Sequence, residues 1–357
     1  MSIEIYPEDF STRYELTHAI SIQMSRFYND TGKIQLVAAA NDYNIKALKK
    51  NSVVFDTKRG TTYILVNVKF DTVANRSTAN GYTAEYLLNK RIIAEKKQIT
   101  TIETGVYGII NDNLRGLPRI STAAVKGLPE TWQPDDPETE ENESEVFGGQ
   151  ILDKITPILE YGNLGRRMVW DYSQLAWTFE IFKGTDLTSG IHAIVFAEEQ
   201  GTCTDLVIDE DISTFKNFAY CTYELNSKDK DPIKQIVTVG SATGADRFEA
   251  WFDTGVSQEE GETEQKAKER AISYGQLELG KRINRQSFSV VVDASELVTL
   301  YDIGDIVACS SVRFGVRFNA RITGVTYKMD TSGEQTSVLL GDPILTAIGE
   351  LKLNGNT

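Results

Sequence analysis

Three arginines recur at every fourth position in VRFGVRFNARITGVTYKMD, a stretch that starts at Val312. Val312, Phe314, Val316, Phe318, Ala320 and Ile322 alternate there with Arg313, Gly315, Arg317, Asn319 and Arg321. A strand sends alternate residues to opposite faces, so Arg313, Arg317 and Arg321 are expected on one face, roughly 13 Å from one to the next. Guanidinium groups in such a row do one kind of chemistry: they pair with carboxylates or phosphates. Three surroundings stay open for them, namely an interface with another chain, plain solvent, or the wall of a channel. Carboxylates of a neighbouring acidic chain suit the first, and solubility suits the second. Arginines around a channel would retard passing DNA through phosphate contacts. After Thr323-Gly324 the apolar positions shift to Val325, Tyr327 and Met329, which predicts a bulge or bend.

Other reactive residue types lack the spacing that chemistry needs. His18 and His192 are the only histidines and form no HExxH-type ligand pair, so both read as structural. Cys203, Cys221 and Cys309 are odd in number, widely spaced and set among apolar residues, which fits reduced core thiols. GSATGADR at 240–247 lacks the Gly-Lys-Ser/Thr of a phosphate loop and reads as a turn between strands. There is no Gly-x-Ser-x-Gly elbow. Asp209, Glu210 and Asp211 in VIDEDIS read as an exposed turn, although folding could still assemble a carboxylate pair of the hydrolase type. Trp132, Trp170, Trp177 and Trp251 are candidate stacking residues for a carbohydrate, against a core role in contexts such as AWTFEIF. No catalytic, cofactor-binding or metal-binding residue is assigned, and the chain reads as a non-enzyme.

The elements that would carry these residues are mostly strands. HAISIQMSRFYNDTGKIQLVAAA predicts two strands around Asn29–Gly32, and NDYNIKALKK a short helix capped by Asn41 or Asp42. NSVVFDTKRGTTYILVNVKFD predicts a hairpin turning at Lys58–Gly60. From Gly81 the period becomes helical: GYTAEYLLNKRIIAEK places Tyr82, Tyr86, Leu87, Ile92 and Ile93 on one stripe, and GVYGIINDNLRGL repeats it more weakly. FGGQILDKITPILEYGN predicts a helix kinked or bounded at Pro157, followed by strands in RRMVWDYSQLAWTFEIFKG. Further strands run to Gly255, then a charged helix with Ala267, Ile272, Leu277 and Leu279 on its apolar stripe. The last block is all β. YILVNVKFDTVANRSTANGYTA and NARITGVTYKMDTSGEQTSVLLGD share a strand, a polar turn and a strand closing on Gly, a weak internal repeat.

With 357 residues, 41% of them hydrophobic, the chain is long enough for two to four subdomains around a sizeable core. It has no run of roughly 18 apolar residues, and MSIEIYPEDF has no secretion-signal layout, so no membrane anchor is expected and folding in a cytoplasm is. Its net charge of −14 argues against gripping a nucleic-acid backbone. Eight of its acids lie between Glu130 and Glu145 without a base, which predicts a solvated loop, since the Gly-centred twelve-residue calcium loop is missing.

The order of these features resembles the tail-hub or tail-associated baseplate hub proteins of long-tailed bacteriophages, prophages and phage-tail-like particles, in their compact form. The resemblance rests on GYTAEYLLNKRII opening an insertion, on ILDKITPILEYGNLGRRMVWDYSQLAWTFEIFKGTDLT, on IVFAEE, and on YDIGDIV before the last hairpins. It implies a mainly β fold with helical insertions (α+β), in which two tube-like β-barrel or sandwich domains flank inserted domains. The expected boundaries are 1–80 for the first tube-like domain and 81–165 for a helical insertion with an acidic loop at 130–146. A β-rich domain follows at 166–292, ending in a charged helix at 264–282, and 293–357 forms the second tube-like domain. The family further implies a homotrimer whose pseudo-sixfold ring caps the tail tube and joins it to the baseplate and spike. Its partners would be the tail-tube protein, other baseplate proteins, the spike and the tape-measure protein, with DNA only as passing cargo and no cofactor. Arg313, Arg317 and Arg321 then become candidates for the subunit or tube interface, and the location is the virion tail tip or a tail-like particle. Ending at Thr357, the chain is expected to lack the peptidase, lysozyme or receptor-binding extension of longer relatives. The alternative is a carbohydrate- or receptor-binding β protein of a virion or cell surface.

Overall fold

Strands β1 (Ile3–Tyr6), β2 (Tyr14–Glu15), β3 (Ala19–Phe27) and β4 (Lys33–Ala39) open the chain in a computed structural model that describes residues 3–341 except 118, 133–144, 212, 228–229, 260, 281, 283–284 and 293–298. β3 and β4 form the hairpin expected around Asn29–Gly32. Helix α1 (Asp42–Ala47) follows, its Asn44 N–H bonded to the side chain of Asn41, the N-cap, at 2.8 Å. β5 (Val53–Asp56), β6 (Thr61–Asp71) and β7 (Arg76–Thr83) complete the first block. β5 and the first half of β6 are buried on both faces. Val54, Tyr63 and Leu65 join one core with Ile5, Ile22 and Leu36, while Val53 and Ile64 join another with the helices described next. Strands covered on both sides read as continuous apolar runs, which is why SVVF and YILV do not alternate polar and apolar.

The stripe expected from Tyr82 to Ile93 is not an α-helix. Tyr82 and Thr83 finish β7, residues 84–90 make a 3-10 segment, and Ile92 bridges to Gln150. After β8 (Lys97–Gln98), the weaker-looking stripe gives the longer helix, α2 (Ile102–Asn113). β9 (Ile120–Thr122) and β10 (Glu145–Val146) precede α3 (Ile151–Tyr161), which runs through Pro157 rather than stopping there. α2 carries the buried Glu103, whose carboxylate accepts from the backbone N–H groups of Lys126, Gly127 and Leu128 at 2.7–2.9 Å and so fixes an otherwise irregular segment. The acidic stretch lies outside the described residues apart from its ends, where Glu130 pairs with Lys183 at 2.6 Å. β11 (Gly165–Asp171) and β12 (Ala176–Phe182) form a hairpin that sets Trp170 opposite Trp177, and β9 adds to β12 in parallel.

β13 (Val195–Ala197) and β14 (Thr204–Asp211) come next, so Asp209, Glu210 and Asp211 of VIDEDIS lie in a strand where an exposed turn was expected. The chain then forms a separate compact unit whose described part is Ile208–Ser287. In it β15 (Phe218–Ser227), β16 (Lys230–Val239) and β17 (Glu249–Ser257) make a three-stranded sheet, and GSATGADR is the turn between the last two. One face carries α4 (Glu264–Gly280). Ala219, Cys221, Val239 and Phe252 pack there against Ala267 and Ala271, with Ile272 and Leu279 at the margin. A Cβ on Gly275 would strike Cys221 Sγ, so the seam of α4 is made of small residues four apart, Ala267, Ala271 and Gly275.

β18 (Arg285–Val292), β19 (Ile306–Ser311), β20 (Val316–Asp330) and β21 (Gly333–Gly341) end the described chain. β20 pairs with β3 across the whole length of the sequence, from Gly324 opposite Phe27 to Met329 opposite Ile22. Strands of both terminal blocks therefore lie in one thirteen-stranded sheet, which runs β14-β18-β21-β20-β3-β4-β7-β6-β5-β1-β2, with β19 attached to β20 and β13 to β19. The fold is mainly β with few helices. The two stretches of the internal repeat are the hairpins β6–β7 and β20–β21. In both, the first strand carries a register shift, at Leu65/Asn67 and at Ile322/Gly324, and ends on an Asp, Asp71 or Asp330, whose carboxylate takes N–H bonds of the following turn. The second shift is the bulge expected at Thr323-Gly324. No helix among the described residues is long and apolar enough to cross a membrane.

Tyr28, 2% exposed, ties the blocks together. Its N–H donates to Thr323 O at 2.9 Å, its carbonyl accepts from Arg166 N–H at 2.8 Å, and its hydroxyl donates to Asn163 O at 3.0 Å. The ring meets Phe182 edge-on at 5.4 Å, and glycines 165 and 304 lie against it where no Cβ would fit. Tyr28→Ala is expected to cost about 3–5 kcal/mol and Tyr28→Phe about 1 kcal/mol, read as midpoint shifts in urea unfolding.

All three cysteines are free and buried. Burial pushes the Cys309 thiol from its ordinary 9.0 up to about 12, and that of Cys203 up to about 11. A thiol-specific chromogenic reagent near neutral pH should label none of them in the native chain and all three after denaturation. Below pH 9 both states keep the Cys309 proton; above it the unfolded chain ionises first, so stability should fall as pH rises from 9 toward 12.

Candidate functional site

The arginine-bearing hairpin is built from β19 and β20, paired from Ile306 opposite Arg321 to Ser311 opposite Val316. The strand begins later than its alternation suggests. Val312–Gly315 form the turn, with Gly315 at φ 65° in the left-handed region that glycine adopts without strain. Val312, 80% exposed, and Phe314, 50% exposed, thus sit at the tip instead of in the core. Alternation cannot tell a turn that happens to keep the phase from a strand.

The three arginines are consequently in different settings. Arg313 lies in the turn with its guanidinium 5.5 Å from the Phe314 ring centroid. Arg317 is exposed on β20 opposite Ser310. Arg321, half-buried on the same face, donates to Gly304 O and lies 5.0 Å from the Tyr28 ring centroid. The structure therefore brings Arg317 and Arg321 onto one face, with Asn319 between them, and leaves Arg313 at the end. Neither Arg313 nor Arg317 forms an ion pair with a described residue. What this edge offers chemically is a pair of free guanidiniums beside an exposed Val and Phe, an arrangement suited to a carboxylate-bearing surface.

The remaining candidates divide plainly. His18 and His192 are both exposed, so neither is a packed structural histidine, and His18 occupies a turn at φ 51°. Among the described residues no three His, Cys, Asp or Glu side chains gather to hold a metal ion. Trp170 and Trp177 are core residues in contact with each other, with Phe10 against both, and Trp177 Nε1 donates to Thr62 Oγ1 at 2.8 Å. Trp132 packs edge-on against Tyr161. Trp251 is different: it is 59% exposed on the face of its sheet away from α4, with Tyr220 stacked beside it at 6.4 Å. Arg247, which motif reading passed over, lies over Phe218 at 3.4 Å and donates to the Tyr220 hydroxyl at 2.7 Å on that face. Its only sequence signal is its place just before the strand EAWFDTG.

Three solved structures with a similar fold are tail proteins. A tail protein from Neisseria meningitidis MC58 superposes with a TM-score of 0.59 at 11% identity, covering 96% of each chain. The prophage tail protein gp18 from Listeria monocytogenes EGD-e gives 0.56 at 15% identity over 98% of each chain. The prophage MuSo2 43 kDa tail protein from Shewanella oneidensis gives 0.57 at 11% identity over 95% of this chain and 98% of its own. Among curated proteins none matches the chain. The profile of the Siphovirus ReqiPepy6 Gp37-like proteins spans residues 2–342. With a fold shared by prophage tail proteins and a profile match over nearly its whole length, the chain belongs to the Siphovirus ReqiPepy6 Gp37-like protein family.

Proposed function

We propose that this protein is a tail hub: three copies close into a ring that caps the tail tube, joins it to the baseplate and spike, and lets DNA or the tape measure pass. The observation that carries the proposal is the pair of matching hairpins, β6–β7 and β20–β21, held in one open sheet by the β3–β20 pairing. A chain with two similar hairpin units gives six such units in a trimer, the number needed for a pseudo-sixfold ring on a tail tube. An open sheet also leaves unpaired edges, which closure into a ring covers. The role needs no catalysis. Arg313, Arg317 and Arg321 serve in it as the edge that meets carboxylates of the next subunit or of the tube protein, with the protein located at the virion tail tip or in a tail-like particle.

A second reading is favoured by one observation. Trp251 and Tyr220 form an exposed aromatic surface of the kind on which sugar rings stack, so a carbohydrate- or receptor-binding role remains the alternative.

Light scattering after size exclusion separates the two. The hub reading expects a particle of three times the 39.8 kDa chain mass, with a central hole in negative stain. Arg317→Glu, at an exposed site that leaves the fold alone, should shift that particle toward monomer at least about tenfold in dissociation constant, as reversal of an interfacial charge does. A monomer that stays monomeric when mixed with tail-tube protein would sink the hub. Glycan binding by that monomer, lost in Trp251→Ala, would establish the second reading.

A further inference from the structure

The separate unit packs one face of its three-stranded sheet on α4 and leaves residues of the other face exposed. Trp251 on β17 and Tyr220 on β15 are paired in register there, with ring centroids 6.4 Å apart and planes inclined by 29°. Ile236, 55% exposed on β16, lies on the same face one pair further along, opposite Thr222. Large apolar side chains that stand together in water mark a surface that takes a ligand.

Two clamps hold this surface. At one end the Arg247 guanidinium lies 3.4 Å from the Phe218 ring centroid, donates to the Tyr220 hydroxyl at 2.7 Å and pairs with Glu249 at 2.8 Å. At the other end Asp253 accepts from the buried Thr222 hydroxyl at 2.7 Å and from Lys234 at 3.0 Å. Tyr220 is thereby fixed, and its own hydroxyl proton is left to donate. Rings held in place before a ligand arrives lose little freedom on binding.

The chemistry of the face selects a class of ligand. Aromatic faces carry negative partial charge, which attracts the slightly positive C–H groups on the flat side of a pyranose. The four charges flanking the rings are already paired, Arg247 with Glu249 and Lys234 with Asp253. They offer donors and acceptors to sugar hydroxyls but no unpaired charge to an ionic sugar, which would have to displace a partner. A dry protein interface is disfavoured for the opposite reason, because it would strip water from both ion pairs.

We propose that this face binds uncharged hexopyranose glycans, with one sugar stacked on Trp251, the next reaching Tyr220, and hydroxyls bonded to the two ion pairs. The proposal rests on the aromatic surface of the second reading, commits it to one ligand class, and holds whether or not three copies close into a ring.

The test is a printed array of uncharged hexopyranose glycans and uronate-containing glycans, probed with the labelled full chain taken from its size-exclusion peak. Uncharged glycans should be retained at least about tenfold more strongly than uronate-containing ones. Trp251→Ala, at an exposed site, should keep the urea midpoint and lose at least about tenfold in retention, while Trp251→Phe, which still presents a ring, should keep part of it. No retention of uncharged glycans, or retention indifferent to Trp251→Ala, would overturn the proposal. Preference for uronate-containing glycans that is lost in Trp251→Ala would also overturn it, yet leave a carbohydrate-binding role standing.

Discussion

One buried tyrosine sets the terms for the rest of the larger unit. Tyr28 touches three parts of the chain that sequence keeps far apart: the bulge of β20, the hairpin β11–β12, and the turn at Gly304. Each contact fixes something different. The N–H bond to Thr323 continues the β3–β20 pairing past its last ladder rung; the carbonyl bond to Arg166 starts β11; the ring demands glycine at 165 and 304. Gly184 belongs to the same constraint, because a Cβ there would strike the carbonyl of Gly304. Such convergence explains why YDIGDIV needs its glycine: the residue is a spacer for an aromatic ring almost three hundred positions earlier, and a larger side chain would push β3 and β20 apart.

The second constraint is two-sided burial. Because β5 and the first half of β6 have a core on each face, the insertion that covers one face is part of the folding problem of the sheet and not an appendage. Its helices bring mostly apolar surface, and its irregular segment is held by a buried carboxylate, Glu103, in place of secondary structure. A loop fixed in this way keeps its backbone donors satisfied without a strand partner. In the smaller unit the equivalent economy is the row of Ala267, Ala271 and Gly275, which lets α4 approach its sheet closely.

The hairpins at Asn29–Gly32 and Lys58–Gly60, a cap at Asn41 or Asp42 and the bulge at Thr323-Gly324 were legible in the sequence, since each depends on neighbours a few residues away. The family resemblance was legible too, from the order of loose motifs. What escaped were features set by distant contacts. Tyr82 and Ile93 kept a helical phase, yet pairing with β4, β6 and the segment at Gly149 took both into extended backbone. The stripe expected on α4 contained Ala267, Ile272 and Leu279, which do pack, but passed over Ala271 and Gly275, whose small size lets the helix approach the sheet. At the candidate interface, the alternation of VRFGVRF concealed a turn, because Gly315 happens to fall in phase. Arg166 left a readable trace: in RRMVWD it occupies the apolar parity, and it is buried beside Met168 and Trp170.

The pairing of β3 with β20 has a consequence for how the protein is made. Ribosomes add about 5–20 residues per second, so β3 emerges many seconds before the strand that completes its free edge, about 300 residues later. During that interval the first block carries a nine-residue edge with unpaired backbone groups, the template on which like chains join wrongly. In a polysome, several nascent chains hold that edge at once. Premature termination anywhere before β20 yields a product with the edge permanently open, so quality control of truncated chains matters more for this topology than for one whose neighbours in space are neighbours in sequence.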